Sequence, residues 1–120
     1  MDALSQRIDA LESLGDYFSN FDENNPEYSP FVKAIKKATL ENGWFRREEC
    51  IHAIYCWGKA LEKLNIEKWL APYALTENQS TKTIALVLAG NIPMVGFHDI
   101  LSVWITGNAA LIKCASKDKV

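Results

Sequence analysis

Thr83-Ile84-Ala85-Leu86-Val87-Leu88-Ala89 is a continuous apolar run of strand length, broken by Gly90-Asn91-Ile92-Pro93. An alternating run would leave one strand face in water. A continuous one predicts a strand covered on both faces, as in parallel sheets. Next, Phe97–Thr106 carries apolar residues at Phe97, Ile100, Leu101, Val103, Trp104 and Ile105, the pattern of a buried helix, and Gly107-Asn108 stops it. Ala109-Ala110-Leu111-Ile112 is a second short apolar strand, and Ser116-Lys117-Asp118 reads as the cap of another helix. A strand–loop–helix–strand order with short connections is the opening crossover of an open α/β sheet.

Upstream of that unit the texture is helical. Leu4, Ile8, Leu11, Leu14 and Phe18 recur in steps of three and four over residues 3–19. Asn20–Pro30 is polar and reads as a loop, with Ser29-Pro30 as N-cap and first helical residue of a helix through Phe31, Ile35 and Leu40. Asn42-Gly43 is expected to end that helix in the left-handed conformation. A longer helical pattern covers residues 46–64, Asn65 is placed to cap a short segment through Trp69 and Tyr73, and residues 76–81 form a polar connection. The expected organisation is therefore a mainly helical region, 1–78, followed at 79–120 by the start of a dinucleotide-binding α/β domain.

Composition bounds the function. The chain has 120 residues, one domain's worth of length, and is 48% hydrophobic with 11% aromatic residues, which predicts a folded chain. Its net charge of −2 offers none of the basic excess of a nucleic-acid binder. No apolar run approaches the ~20 residues of a membrane span, and the first residues lack the pattern of a signal peptide. Residues 1–27 hold seven acids and one base, whereas residues 28–120 hold eight acids and twelve bases. That asymmetry fits a solvated helix face plus a polar loop, or an acidic arm over a basic body. Cys50, Cys56 and Cys114 are odd in number and lack zinc spacing, which fits reduced thiols in a cytoplasmic protein. Cys50 and Cys56 read as small core hydrophobes, although His52 nearby also allows a thiol–imidazole pair. No metal site is expected.

In open α/β sheets ligands bind at the carboxyl ends of the strands. Those ends are Gly90–Pro93 and Lys113–Ser116. Gly90 permits a tight turn, Pro93 stiffens it, and Asn91 offers an amide donor at the strand tip. A fixed donor of that kind can stabilise an oxyanion, and the same residue type also ties its own backbone in turns. Lys113 can hold a ribose or phosphate, or snorkel from a strand end. Ser116 is an ordinary N-cap type. His98 and Asp99 fall in the first turn of the buried helix, where Asp99 suits the helix dipole and His98 reads as structural. There is no GxGxxG fingerprint.

Leu88-Ala89-Gly90-Asn91-Ile92-Pro93, Gly107-Asn108-Ala109-Ala110-Leu111-Ile112-Lys113 and Ser116-Lys117-Asp118 together resemble the acyl-CoA reductase family, typified by the fatty acid reductase of bacterial bioluminescence and belonging to the aldehyde dehydrogenase superfamily. The resemblance spans Ile84–Lys119. It implies an aldehyde-dehydrogenase-like cofactor-binding sheet and an NADPH-dependent thioester reductase. Its acyl-CoA or acyl-carrier substrate would pass the acyl group to a cysteine before reduction to an aldehyde. It also implies that Asn91 stabilises the oxyanion and that Lys113 contacts the adenine ribose or its phosphate. Ser116 stands where NAD-preferring relatives carry Glu, so that a 2′-phosphate is tolerated. Cys114 departs from the pattern, since many aldehyde dehydrogenases have Pro after the lysine. The family nucleophile lies far downstream, and none of the three cysteines matches its motif.

The chain then reads as the N-terminal part of a larger enzyme, inactive alone, with exposed apolar surface and a tendency to form homo-oligomers. The competing readings are a stand-alone nucleotide- or carrier-protein-binding module and a helical interaction domain that merely shares the strand–helix–strand texture.

Overall fold

The computed structural model describes residues 3–75 and 80–120. The protein is mixed helix and strand. Among the described residues five helices, α1 (Ala3–Ser19), α2 (Ser29–Glu41), α3 (Arg47–Ala60), α4 (Lys63–Leu70) and α5 (Phe97–Ile105), accompany two strands, β1 (Thr83–Val87) and β2 (Ala109–Lys113). A short 3-10 turn over Pro26–Tyr28 precedes α2. β1 and β2 pair in parallel, with Thr83 opposite Ala109 and Val87 opposite Lys113. The boundary expected at 78/79 lies outside the described residues, as do residues 76–79 of the expected connection.

α1 crosses α3 closely because small residues stand at the crossing. A Cβ on Gly15 would lie 2.7 Å from the Leu61 Cβ, and one on Gly58 would lie 2.8 Å from the Ser19 backbone nitrogen. Around that crossing Leu11, Phe18, Ile54 and Leu61 are buried. An aromatic cluster continues the core: Phe21 meets Tyr28 edge-on at 5.3 Å, and the Tyr28 and Tyr55 hydroxyls donate to the carbonyls of Tyr17 and Phe21. Tyr28 buries its ring while keeping the polar tip bonded, and Tyr55 does the same from a more exposed position.

The core passes into the strand–helix–strand unit. Leu101 and Ile105 of α5 belong to it, and Phe97 meets Trp57 edge-on at 4.8 Å. Arg7 supplies a polar clasp: its Nε donates to the Ile105 carbonyl at 3.2 Å, at the end of α5 where the helix dipole favours a cation. The single base of the acidic first 27 residues therefore docks α1 onto α5. Asn108 ties the strand starts together, accepting from the Lys82 N–H and donating to Thr106 Oγ1, after Gly107 has turned the chain at φ 83°.

Several local expectations are corrected. α2 begins at Ser29 without a side-chain cap; Asn25 instead caps the preceding 3-10 turn by accepting from the Glu27 N–H. Asn42 leaves α2 in an extended conformation, φ −130° and ψ 107°, and Gly43 is not left-handed. The pattern over 46–64 is two helices, because the chain leaves the helical path at Leu61 and restarts at Lys63. Asn65 is inside α4 and donates to the Lys59 carbonyl rather than capping. Ser116 and Lys117 form a turn closed by the Asp118 N–H on the Ala115 carbonyl, with no helix after it among the described residues.

The largest correction concerns the strand. β1 alternates between exposed and half-buried residues, with Val87 82% exposed, and Leu111 on β2 is 64% exposed. The continuous apolar run is thus covered on one face only, the face against α5. Apolar side chains are thus exposed on both strands.

Candidate functional site

The carboxyl ends of β1 and β2 lie side by side, as parallel pairing requires. The ladder runs one step past β1, where the Leu88 N–H donates to the Lys113 carbonyl at 3.0 Å. Beyond it the two loops touch. A Cβ on Gly90 would lie 2.7 Å from the Ala115 Cβ and 3.0 Å from the Asp118 Cβ. Only glycine permits that approach, so the Gly90–Pro93 and Lys113–Ser116 segments form one surface.

Asn91 is exposed on this surface, and its side chain makes no hydrogen bond to another described residue, so it is not a turn residue tied to its own backbone. Lys113 is exposed beside the bare sheet face, opposite Val87 in register, with its Nζ 3.4 Å from the Cys114 carbonyl. Ser116 is exposed in its turn, and Pro93 is half-buried. After Pro93 the chain turns through Met94 at φ 58°, a left-handed conformation rare for a residue with a side chain, and the Phe97 N–H closes the turn on the Met94 carbonyl. The tight turn is therefore made at Met94, four residues later than Gly90.

Behind the turn is an apolar cavity of about 340 Å³. Ile35, Ile54, Leu88, Met94, Phe97 and Ile112 contribute to its wall, and Cys50, Cys114 and Asp118 are its polar or polarisable members. Burial holds the Asp118 carboxyl above the ordinary carboxylate range. Burial also pushes the Cys50 thiol up, with smaller contributions from Glu49 and Asp118, so Cys50 sits in the core as a thiol held toward its protonated form. Cys56 is not core: it is exposed on α3, and its Sγ is 3.3 Å from His52 Nε2, the thiol–imidazole pair left open by the sequence. His98 packs near Trp69 and Trp57, 5.8 and 6.4 Å between ring centroids. Among the described residues no group of three or more metal-ligating side chains gathers, and no helix is long and apolar enough to cross a membrane.

One residue that matters here carries no motif. Asn42 is 1% exposed, and its Nδ2 donates to the Gly90 carbonyl at 2.9 Å across 48 positions of sequence. Its Oδ1 accepts from the Trp44 N–H at 3.0 Å. A helix-ending Asn-Gly is an ordinary local signal, and only the tertiary fold shows that its amide reaches the strand tip.

Comparison with known protein families, with curated proteins and with solved structures finds no match.

Proposed function

We propose that the chain is the N-terminal part of an NADPH-dependent acyl-CoA reductase with an aldehyde-dehydrogenase-like cofactor sheet, acting in the cytoplasm. The observation that carries this reading is the strand-end surface, where Gly90 lets the Asn91 turn pack directly on the Lys113–Ser116 segment. An amide donor, an ammonium and a hydroxyl thus share one end of a parallel sheet, the end at which α/β proteins hold ligands.

Two further features support it. The apolar, exposed face of β1 and β2 is what a parallel sheet presents when more of its layers belong elsewhere, because such sheets are normally covered on both faces. The exposed Asn91 amide, which bonds to no other described residue, is available to a developing oxyanion.

The donor set fits a phosphorylated dinucleotide. Lys113 would neutralise a ribose or phosphate oxygen, and Ser116 would donate to a 2′-phosphate without the repulsion of a carboxylate. When bound, the cofactor supplies the hydride. Asn91 would hold the thioester oxygen as negative charge builds on it, with Gly90 letting its turn pack on the second loop and Pro93 limiting the backbone after it. The attacking cysteine is outside this chain, because Cys50 is buried and Cys56 and Cys114 carry no matching motif. Acyl-CoA or an acyl carrier is the substrate class.

The test is NADPH consumption with acyl-CoA by the polypeptide of the whole reading frame that contains this sequence, with aldehyde identified as product. Aldehyde formed with NADPH preferred over NADH is the expected result. No aldehyde, or a preference for NADH, contradicts the reading in its reaction or its cofactor respectively.

A further inference from the structure

Among the described residues Asn42 is the only buried polar or charged residue, and all of its recorded bonds serve turns. Its backbone N–H closes α2 on the Ala38 carbonyl, its carbonyl accepts from the Phe45 N–H, and its Oδ1 accepts from the Trp44 N–H. That local set needs only the acceptor side of the amide. The donor side is spent on Gly90, far away in sequence and directly before Asn91. The extended backbone at Asn42 is what aims the side chain out of the helix line toward the strand tip.

We propose that Asn42 is the positioning residue of the Asn91 turn. The Gly90 carbonyl and the Asn91 N–H belong to one rigid peptide plane, so holding the oxygen orients the plane and sets the direction in which Asn91 leaves it. Gly90 has no side chain to restrict that plane, and its close packing on Ala115 and Asp118 forbids one. The restraint has to come from outside the loop, and the buried Asn42 amide supplies it. The buried Asn42 amide is costly to leave without its acceptor, so the turn has one favoured setting. The helical region thereby fixes the geometry of the candidate oxyanion donor. This catalytic consequence rests on the reductase reading, whereas the restraint on the turn does not.

The informative variant is Asn42→Asp in the 120-residue chain. It keeps the acceptor for Trp44 but, when ionised, loses the donor to Gly90; protonation returns an O–H donor. NMR at neutral pH is expected to show altered shifts and faster amide exchange at Asn91 and Ile92, with Leu11 and Ile54 unchanged. Acidification is expected to return the Asn91 signals toward those of the parent chain. A merely structural role predicts losses spread over α1 and α3 with no recovery in acid. Unaltered Asn91 signals at neutral pH, or that spread pattern, would overturn the proposal. If the variant does not fold, the unsubstituted chain still decides: a scalar coupling across the hydrogen bond from the Asn42 amide to the Gly90 carbonyl carbon is expected, and its absence overturns the proposal. In the complete reductase Asn42→Asp is expected to lower turnover about tenfold or more at neutral pH, with the cofactor KM little changed. Should the NMR result hold while Asn91→Ala leaves turnover intact, the restraint stands and the reductase role of Asn91 falls.

Discussion

The helical region and the strand–helix–strand unit are built from similar apolar residues but bury them differently. Leu11, Ile54 and Ile66 are 1–2% exposed, whereas Val87 and Leu111 on the strands are 82% and 64% exposed. Four helices can wrap their stripes around one another, as α1 and α3 do. A two-stranded sheet has two faces, and α5 covers one. The radius of gyration, 15.4 Å, exceeds the roughly 13.6 Å expected of a compact chain of this length. The buried core thus centres on the helices, α5 included, while the two strands keep apolar surface exposed.

The comparison is broken most directly by core truncation. Leu11→Ala or Ile54→Ala is expected to cost about 2–5 kcal/mol in denaturant unfolding. Val87→Thr on the bare face is expected to stay within about 0.5 kcal/mol. Equal losses would mean that the strand face is covered in solution. Light scattering separates the cause: association of the chain would cover it, and a monomer would not.

Gly58→Ala comes next. The added Cβ would press on the Ser19 backbone at the α1–α3 crossing, and a loss of about 1–3 kcal/mol is expected in thermal unfolding. A neutral result would show that the crossing is looser than described.

How much of this was legible in the sequence varies with range. The spans of α1, α5, β1 and β2 follow from periodicity and from Gly107-Asn108, because those signals are local. Coverage of β1 was not legible: a continuous apolar run says what a strand would tolerate on each face, not what is present there. The break at Leu61 was hidden because the apolar spacing runs through it. The strand ends and Asn91 were readable as a turn between apolar runs. Asn42 and Arg7 were not, because their partners lie 48 and 98 positions away.

Thiol labelling gives a smaller contrast between the regions. Cys114 and Cys56, both exposed, should react before Cys50, on the order of tenfold or more faster, since Cys50 is buried and its thiol is pushed up. Fast labelling of Cys50 would indicate an open cavity wall.

The smallest effect is Asp118→Asn. Burial raises the folded carboxyl above its unfolded value, so its contribution is favourable at acid pH and is lost as pH rises through the folded value. The substitution is expected to raise stability at neutral pH by no more than about 0.5 kcal/mol, with the gain vanishing in acid. A loss at neutral pH would place a stabilising partner at that carboxyl.

The central claim is that Asn91 stabilises negative charge on a thioester oxygen, and its most direct test is the turnover of the complete reductase carrying Asn91→Ala. The expected result is a fall of about 10²–10³-fold in kcat with the KM for NADPH little changed. An unchanged kcat would remove Asn91 from the chemistry and contradict the account.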